Sequence, residues 1–440
     1  MRAVWRTSVV ALFAGLMVAA GQAGVDEKAW KERPQRSIMT TGIPLIYHQD
    51  KASAVTVVGL YIAGGKAAVP EGLDGLAYLT TRLTLEIPDE GKIQDLMVQA
   101  TRMSHFCLED CSAIVIECLS ENLEAALRVA AKIIQDPLMT GLRISRVKEM
   151  MKLFAQAEED DAVLTGHNAA LDAFFQGKGY GSASYGSDDS RKAIERKDIL
   201  AFYRRLFTSK GVFFSVVTDL DRAPVQSLLE GCFSGFPGGE RTGIPATPLA
   251  APSDREIVRV KGTKQTYIGR AFALPAPGPI EQAKGYLVEV LLGRGPGSRL
   301  WGLRATDKLA YNVNAHLTWT RSAGILEAYL ETENAKAARA AEALDRSLAE
   351  LWESGVTPEE LETAKTLSKA VFLRSTEAKT ERAKLLGLFE VLGLGYDHLS
   401  GIFGTIDAVT LDGLNAFIRE SLPPERALKI AVGPALSAEK

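Results

Sequence analysis

Histidine and cysteine are scarce in this chain, at five and four of 440 residues. His48, His105, His167, His316 and His398 are scattered, and none stands in H-x-x-E-H or H-x-x-x-H spacing. Those spacings put two imidazoles on one helix face, where they can converge on a metal. Cys107, Cys111, Cys118 and Cys232 match no zinc-ribbon pattern. Zinc chemistry by this chain alone is therefore not expected. Cys107 and Cys111 bracket Leu108, Glu109 and Asp110 at a hairpin tip, where a disulfide or two half-buried strand thiols would both fit. The net charge of −3 supplies no basic excess, which argues against nucleic acid as a partner.

A long apolar run is also missing. Residues 9–20 are apolar but too few for a membrane span. They lie between Arg2/Arg6 and Gly21-Gln22-Ala23, the order of a basic n-region, an apolar core and a small-residue cleavage site. Residues 1–23 are expected to be a signal peptide, with export to a bacterial periplasm. The absence of cysteine near residue 23 argues against a lipid anchor.

What is present is enough chain for more than one core. Strands are expected over 37–48 and 53–63, paired through Gln49-Asp50-Lys51, and a second hairpin over 102–108 and 112–119. Helices are expected over 76–83, 93–100, 121–135, 142–158, 161–176 and 197–207, then a strand over 212–217 and a further helix. Pro237, Gly238, Gly239, Pro245, Pro248 and Pro252 mark a linker over 237–254. Beyond it the plan repeats: a strand over 265–274, a helix over 280–292, a glycine-rich loop, a short helix, strands over 310–319 and 323–332, and long helices over 334–353, 358–373 and 377–393. A last helix over 411–422 precedes a strand over 427–432. Repetition at half the chain length implies two homologous α+β domains, 30–236 and 255–435, each a mostly antiparallel sheet packed by helices.

One stretch organises the first half. Leu73, Leu76, Ala77, Thr80 and Leu83 form an apolar stripe in Gly75-Leu76-Ala77-Tyr78-Leu79-Thr80-Thr81-Arg82-Leu83. Its setting resembles the pitrilysin/insulinase zinc metallopeptidases, whose helix carries H-x-x-E-H. Here Tyr78 stands at the first His position, Thr81 at the Glu and Arg82 at the second His. The third ligand's place falls near Leu153 or Phe154, and neighbouring Glu158 and Glu159 read as a solvated helix face. Tyr78 and Arg82, one turn apart, are expected to fill the space a metal would take.

The second half carries a further resemblance. Gly293-Arg294-Gly295-Pro296-Gly297-Ser298-Arg299-Leu300 is followed by Leu303-Arg304 and Leu309-Ala310-Tyr311. The loop lacks the lysine of a phosphate-binding loop. It is similar instead to the family's glycine-rich stretch, S-R-L, L-R and L-A-Y, with Arg and Tyr at the same separation. Tyr185-Gly186-Ser187 through Phe202-Tyr203 to residues 216–221 is similar to another family segment, so the resemblance covers about 30–435. It implies one half of a clamshell. It also implies that Arg304 and Tyr311 position substrate and stabilise the transition state, while Gly293, Gly295 and Gly297 let backbone approach a peptide.

These features together imply the non-zinc subunit of a heterodimeric zinc endopeptidase. A homologous partner with an intact H-x-x-E-H would hold the zinc, and an extended peptide would be the substrate. The chain alone is expected to be inactive. The alternative is a scaffold, assembly or peptide-binding protein of the same fold, in which Arg304 and Tyr311 persist by descent.

Overall fold

In the computed structural model the described residues are 33–87, 100–239, 243–252 and 256–434. The expected signal peptide and residues 93–99 of an expected helix lie outside them. The first half runs β1 (Gln35–Ile38), β2 (Pro44–Gln49), β3 (Val55–Ala63), α1 (Leu76–Leu83), β4 (Arg102–Cys107), β5 (Cys111–Leu119), α2 (Leu123–Gln135), α3 (Gly141–Asp160), α4 (Ala162–Phe175), α5 (Asp188–Ala193), α6 (Arg196–Leu206), β6 (Val212–Thr218) and α7 (Arg222–Cys232). The second runs β7 (Glu256–Val260), β8 (Gln265–Leu274), α8 (Pro279–Gly293), α9 (Trp301–Ala305), β9 (Asn312–Trp319), β10 (Gly324–Glu333), α10 (Ala337–Ser354), α11 (Pro358–Ser375), α12 (Lys379–Leu392), α13 (His398–Asp407), α14 (Leu411–Ser421) and β11 (Leu428–Gly433).

The strands form two sheets, ordered β1-β2-β6-β3-β5-β4 and β7-β11-β8-β10-β9. The expected β2–β3 hairpin does not exist. β6 lies between them, parallel to β2 and antiparallel to β3. The reason is burial: Thr56 to Ile62 are all buried, so β3 needs a hydrogen-bonded neighbour on both edges and cover on both faces. The second sheet repeats these directions, with β11 parallel to β7 and antiparallel to β8. The remaining pairs, β1–β2, β3–β5–β4 and β8–β10–β9, are antiparallel. The α+β class and a common plan for the two sheets are thus observed.

Each half lends a helix to the other. Val58, Leu60 and Ile62 of β3 face a core built with α1, α2 and α6. Tyr61, on the opposite face, packs on Leu388 and Val391 of α12. Gly387 makes this approach possible, since a Cβ there would stand 2.0 Å from the Tyr61 ring. The Tyr61 hydroxyl donates to the carbonyls of Ala383 and Lys384 at 3.2 and 3.1 Å. Reciprocally, Ala170, Leu171, Phe174 and Phe175 of α4 pack on Tyr267, Ala271, Tyr329 and Ile430 of the second sheet. The linker is strapped along this seam. Ala250 N–H donates to Phe174 O, and Ser322 Oγ donates to Thr247 O. Cys107 and Cys111 are free thiols, as are Cys118 and Cys232. Ser112 Oγ donates to Cys107 Sγ at 3.3 Å.

Candidate functional site

Helix α1 begins at Gly75, whose φ of +90° favours glycine and whose Cβ would press on Gly186 N at 2.9 Å. Every residue of α1 except Arg82 is buried. Tyr78 is 9 % exposed and meets Tyr185 edge-on at 4.8 Å, Phe154 edge-on at 6.3 Å and His105 at 4.9 Å between ring centroids. Phe154 and Tyr185 touch in turn at 5.4 Å. These are direct ring contacts, so the aromatic groups fill the space among themselves. Phe154 lies where the third ligand was placed by sequence.

Thr81 and Arg82 are also engaged. Thr81 Oγ1 donates to Ala77 O at 2.9 Å, within its own helix. Arg82 pairs with Glu86 at 2.6 Å, and Arg146 takes the other carboxylate oxygen. Tyr78 is thus packed among aromatic rings, whereas Arg82 turns to an acid one turn on. Burial raises the Tyr78 hydroxyl to about 12, so it stays a neutral phenol. Burial, with Arg82 adding, pushes His105 down to about 3, so the imidazole is neutral. A guanidinium beside neutral groups repels a cation rather than attracting one. Glu158 is not simply a solvated residue: it is partly buried, and burial raises its carboxyl despite the nearby Lys66 and Asn168. Glu159 is exposed. Among the described residues no three His, Cys, Asp or Glu side chains come together to hold a metal.

The glycine-rich loop and the Arg/Tyr pair occupy a different place, the corner between α8 and β9. Gly293 ends α8 against β9, where a Cβ would stand 2.0 Å from Ala315 N. Close packing of helix on strand accounts for that glycine. Gly295 and Gly297 have φ of +79° and +94° and open space around them. Ser298 Oγ donates to Gly295 O at 2.8 Å, Arg299 pairs with Glu360 at 2.7 Å and Leu300 is fully buried, so S-R-L staples the loop down. Arg304 is exposed on α9, its guanidinium 5.0 Å over the Trp301 ring. The following turn folds back, Leu309 N–H donating to Leu303 O at 2.9 Å. Tyr311 then joins the sheet through its backbone N–H to Glu331 O at 2.8 Å, with its side chain 72 % exposed. The fold thus holds both backbones firmly and leaves both side chains at the surface.

The histidines are not all scattered. His167 on α4 and His316 on β9 lie 4.6 Å apart between ring centroids, and His167 Nδ1 bonds Glu327 Oε2 at 2.8 Å. The only sequence signal for this was Glu327, a charged residue inside an apolar strand.

The family model described as "Peptidase M16 inactive domain" matches residues 193–368, from the end of α5 through the linker into α11. The "Non-peptidase homolog YmxG" of Helicobacter pylori is 22 % identical over 388 residues, covering 86 % of this chain and 88 % of that protein. The "Uncharacterized zinc protease YmxG" of Bacillus subtilis is 19 % identical over 405 residues, covering 90 % and 97 %. Among solved structures, a peptidase M16 inactive domain from Pseudomonas fluorescens superposes with a TM-score of 0.84 at 19 % identity, covering 93 % of this chain and 99 % of that one. A chain of complex III2 from Candida albicans superposes with a TM-score of 0.77 at 15 % identity, covering 91 % and 95 %.

Proposed function

From homology to the pitrilysin/insulinase (M16) peptidase family through its inactive domain, we propose that this chain is a non-peptidase of that fold, a binding or assembly protein without zinc chemistry of its own. The observation that carries this is the packing around Tyr78. Tyr78, Phe154 and Tyr185 pack on one another, and Arg82 is committed to Glu86. The described relative in Helicobacter pylori is itself called a non-peptidase. The test uses the purified full chain, dialysed against zinc and assayed on a quenched peptide. Neither stoichiometric zinc nor chelator-sensitive cleavage is expected. One zinc per chain would overturn the reading.

A second reading is favoured by one observation, the exposure of Arg304 and Tyr311 on a firmly held corner. In it the chain forms a heterodimer in the periplasm with a homologous H-x-x-E-H subunit, each contributing half of a clamshell. Zinc held by that partner would supply the Lewis acid. From this chain, the Tyr311 hydroxyl and Arg304 guanidinium would donate to the developing negative charge on the carbonyl of an extended peptide. The loop at Gly295 and Gly297 would lie along the peptide backbone. A tagged pull-down from the native periplasm separates the readings. The second requires zinc and cleavage to co-elute with an H-x-x-E-H chain, and Tyr311→Phe should then lower turnover roughly 10²-fold with assembly unchanged. Unaltered turnover in that variant removes the role of Tyr311. A co-eluting partner without zinc or cleavage leaves the assembly reading standing.

A further inference from the structure

The seam between the halves contains a buried charged cluster that neither reading above uses. His167 lies on α4, which belongs to the first half by sequence but packs on the second sheet. Its Nδ1 and the Tyr267 hydroxyl both donate to Glu327 Oε2, at 2.8 and 2.9 Å. Gly166 permits this convergence, since a Cβ there would stand 2.3 Å from the Tyr267 ring. His167 and Glu327 side chains are 9 % and 3 % exposed. Glu327 faces His316 directly across the β9–β10 ladder. Thr318 Oγ1 lies 3.2 Å from His316 Nε2. Tyr329 meets the His167 ring edge-on at 5.3 Å.

We propose that His167 and Glu327 form a proton-dependent latch between the two halves: charged His167 holds α4 on the second sheet, and loss of its proton loosens that hold. A buried carboxylate without a compensating positive charge is costly, and among the described residues His167 is the cation paired with Glu327. Nδ1–H can donate to Glu327 in both protonation states, so the proton that comes and goes is on Nε2, which has no hydrogen-bond partner among the described residues. Deprotonation therefore removes the charge and keeps the bond, which loosens the seam without breaking it.

The surroundings set the direction. Burial alone would lower His167. The Glu327 charge and hydrogen bond outweigh it, Asp161 at the start of α4 adds to them, and the imidazole is held above its ordinary 6.5. Three carboxylates on and around α4 have partners of their own, and Arg294 adds to the depression of His316. Glu158 on α3 bonds Asn168, Asp172 faces Arg259 of β7 at 3.9 Å, and Asp110 is held by Arg321 and Tyr180. His316 is pushed down to about 4 by burial and then by the His167 charge, so it stays neutral beside the pair. A group raised in the folded state contributes stability below its unfolded pKa and loses it as pH rises through the folded one. The latch is closed near pH 6 and opens on the alkaline side.

The experiment reads the full chain by ring-labelled histidine NMR and by amide exchange of residues 162–175, corrected for intrinsic rate. One histidine signal, absent in His167→Gln, should titrate above 6.5. Protection of α4 should fall about tenfold between about pH 6 and pH 9, and in His167→Gln it should be lower and flat over that range. Should His167→Gln not fold, Glu327→Gln serves: the His167 signal should then titrate below 6.5. Titration of His167 below 6.5 in the unsubstituted chain overturns the proposal. An equal alkaline loss of protection in His167→Gln does so too.

Discussion

Three side chains of α1 shape its surroundings, and each acts through a different property. Tyr78 supplies volume, Thr81 returns its hydroxyl to the backbone, and Arg82 supplies a charge that Glu86 absorbs. Their energetic weights should differ accordingly. Tyr78 is a buried aromatic with three ring neighbours, so Tyr78→Ala removes a large apolar volume and is expected to cost about 3–5 kcal/mol. Thr81→Ala loses only a bond to its own helix and should lie within about 1 kcal/mol. Phe154 is 37 % exposed, and Phe154→Ala should fall between the two. Urea denaturation of the three variants checks this order. Equal, small losses would mean that the aromatic packing does not support the helix.

At the scale of elements, much of the chain was legible because local pattern and tertiary need agree. The β4–β5 hairpin carries its own turn, and α2 and α10 carry amphipathic faces that the sheets require. The misreadings come from long-range partnership or from weak local periodicity. Nothing between Gln49 and Val55 signals that β6, more than 150 residues on, will separate β2 from β3. β7 is an exposed edge strand and α13 contains Gly401 and Gly404, so neither shows strong periodicity. The Arg304/Tyr311 corner was visible only as an order of short motifs. The geometry adds a distinction among its glycines. Gly293→Ala must push α8 off β9 against backbone atoms and should cost about 3 kcal/mol or more. Gly295→Ala meets open space and carries only its positive φ, at about 1–2 kcal/mol. Thermal melts of the two variants should separate clearly. Similar small losses would show that α8 and β9 can part without harm.

At the scale of the molecule, the exchanged helices make the two halves one folding problem. α12 covers β3 and β6 of the first sheet, and Lys379 at its start donates to the carbonyls of Asp50, Ser53 and Val55 at 2.7, 2.6 and 2.9 Å. Arg382 adds an ion pair to Asp50. α4 returns the exchange on the second sheet, so a loss at the seam is felt by both cores. This sets the acid limb of stability. His105 and His316 are half-buried and depressed to about 3 and about 4, one beside Tyr78 and one in the seam. The unfolded chain takes up both protons as pH falls through 6.5, while the folded chain refuses them until far lower. Stability should therefore fall between about pH 6.5 and pH 4, each histidine contributing up to about 3 kcal/mol. The loss should come as one cooperative transition, because neither sheet keeps its cover without the other half. Melts of the full chain at stepped pH check both points. His316→Asn should flatten the acid limb by about half, and two separate transitions would mean that the seam does not couple the halves.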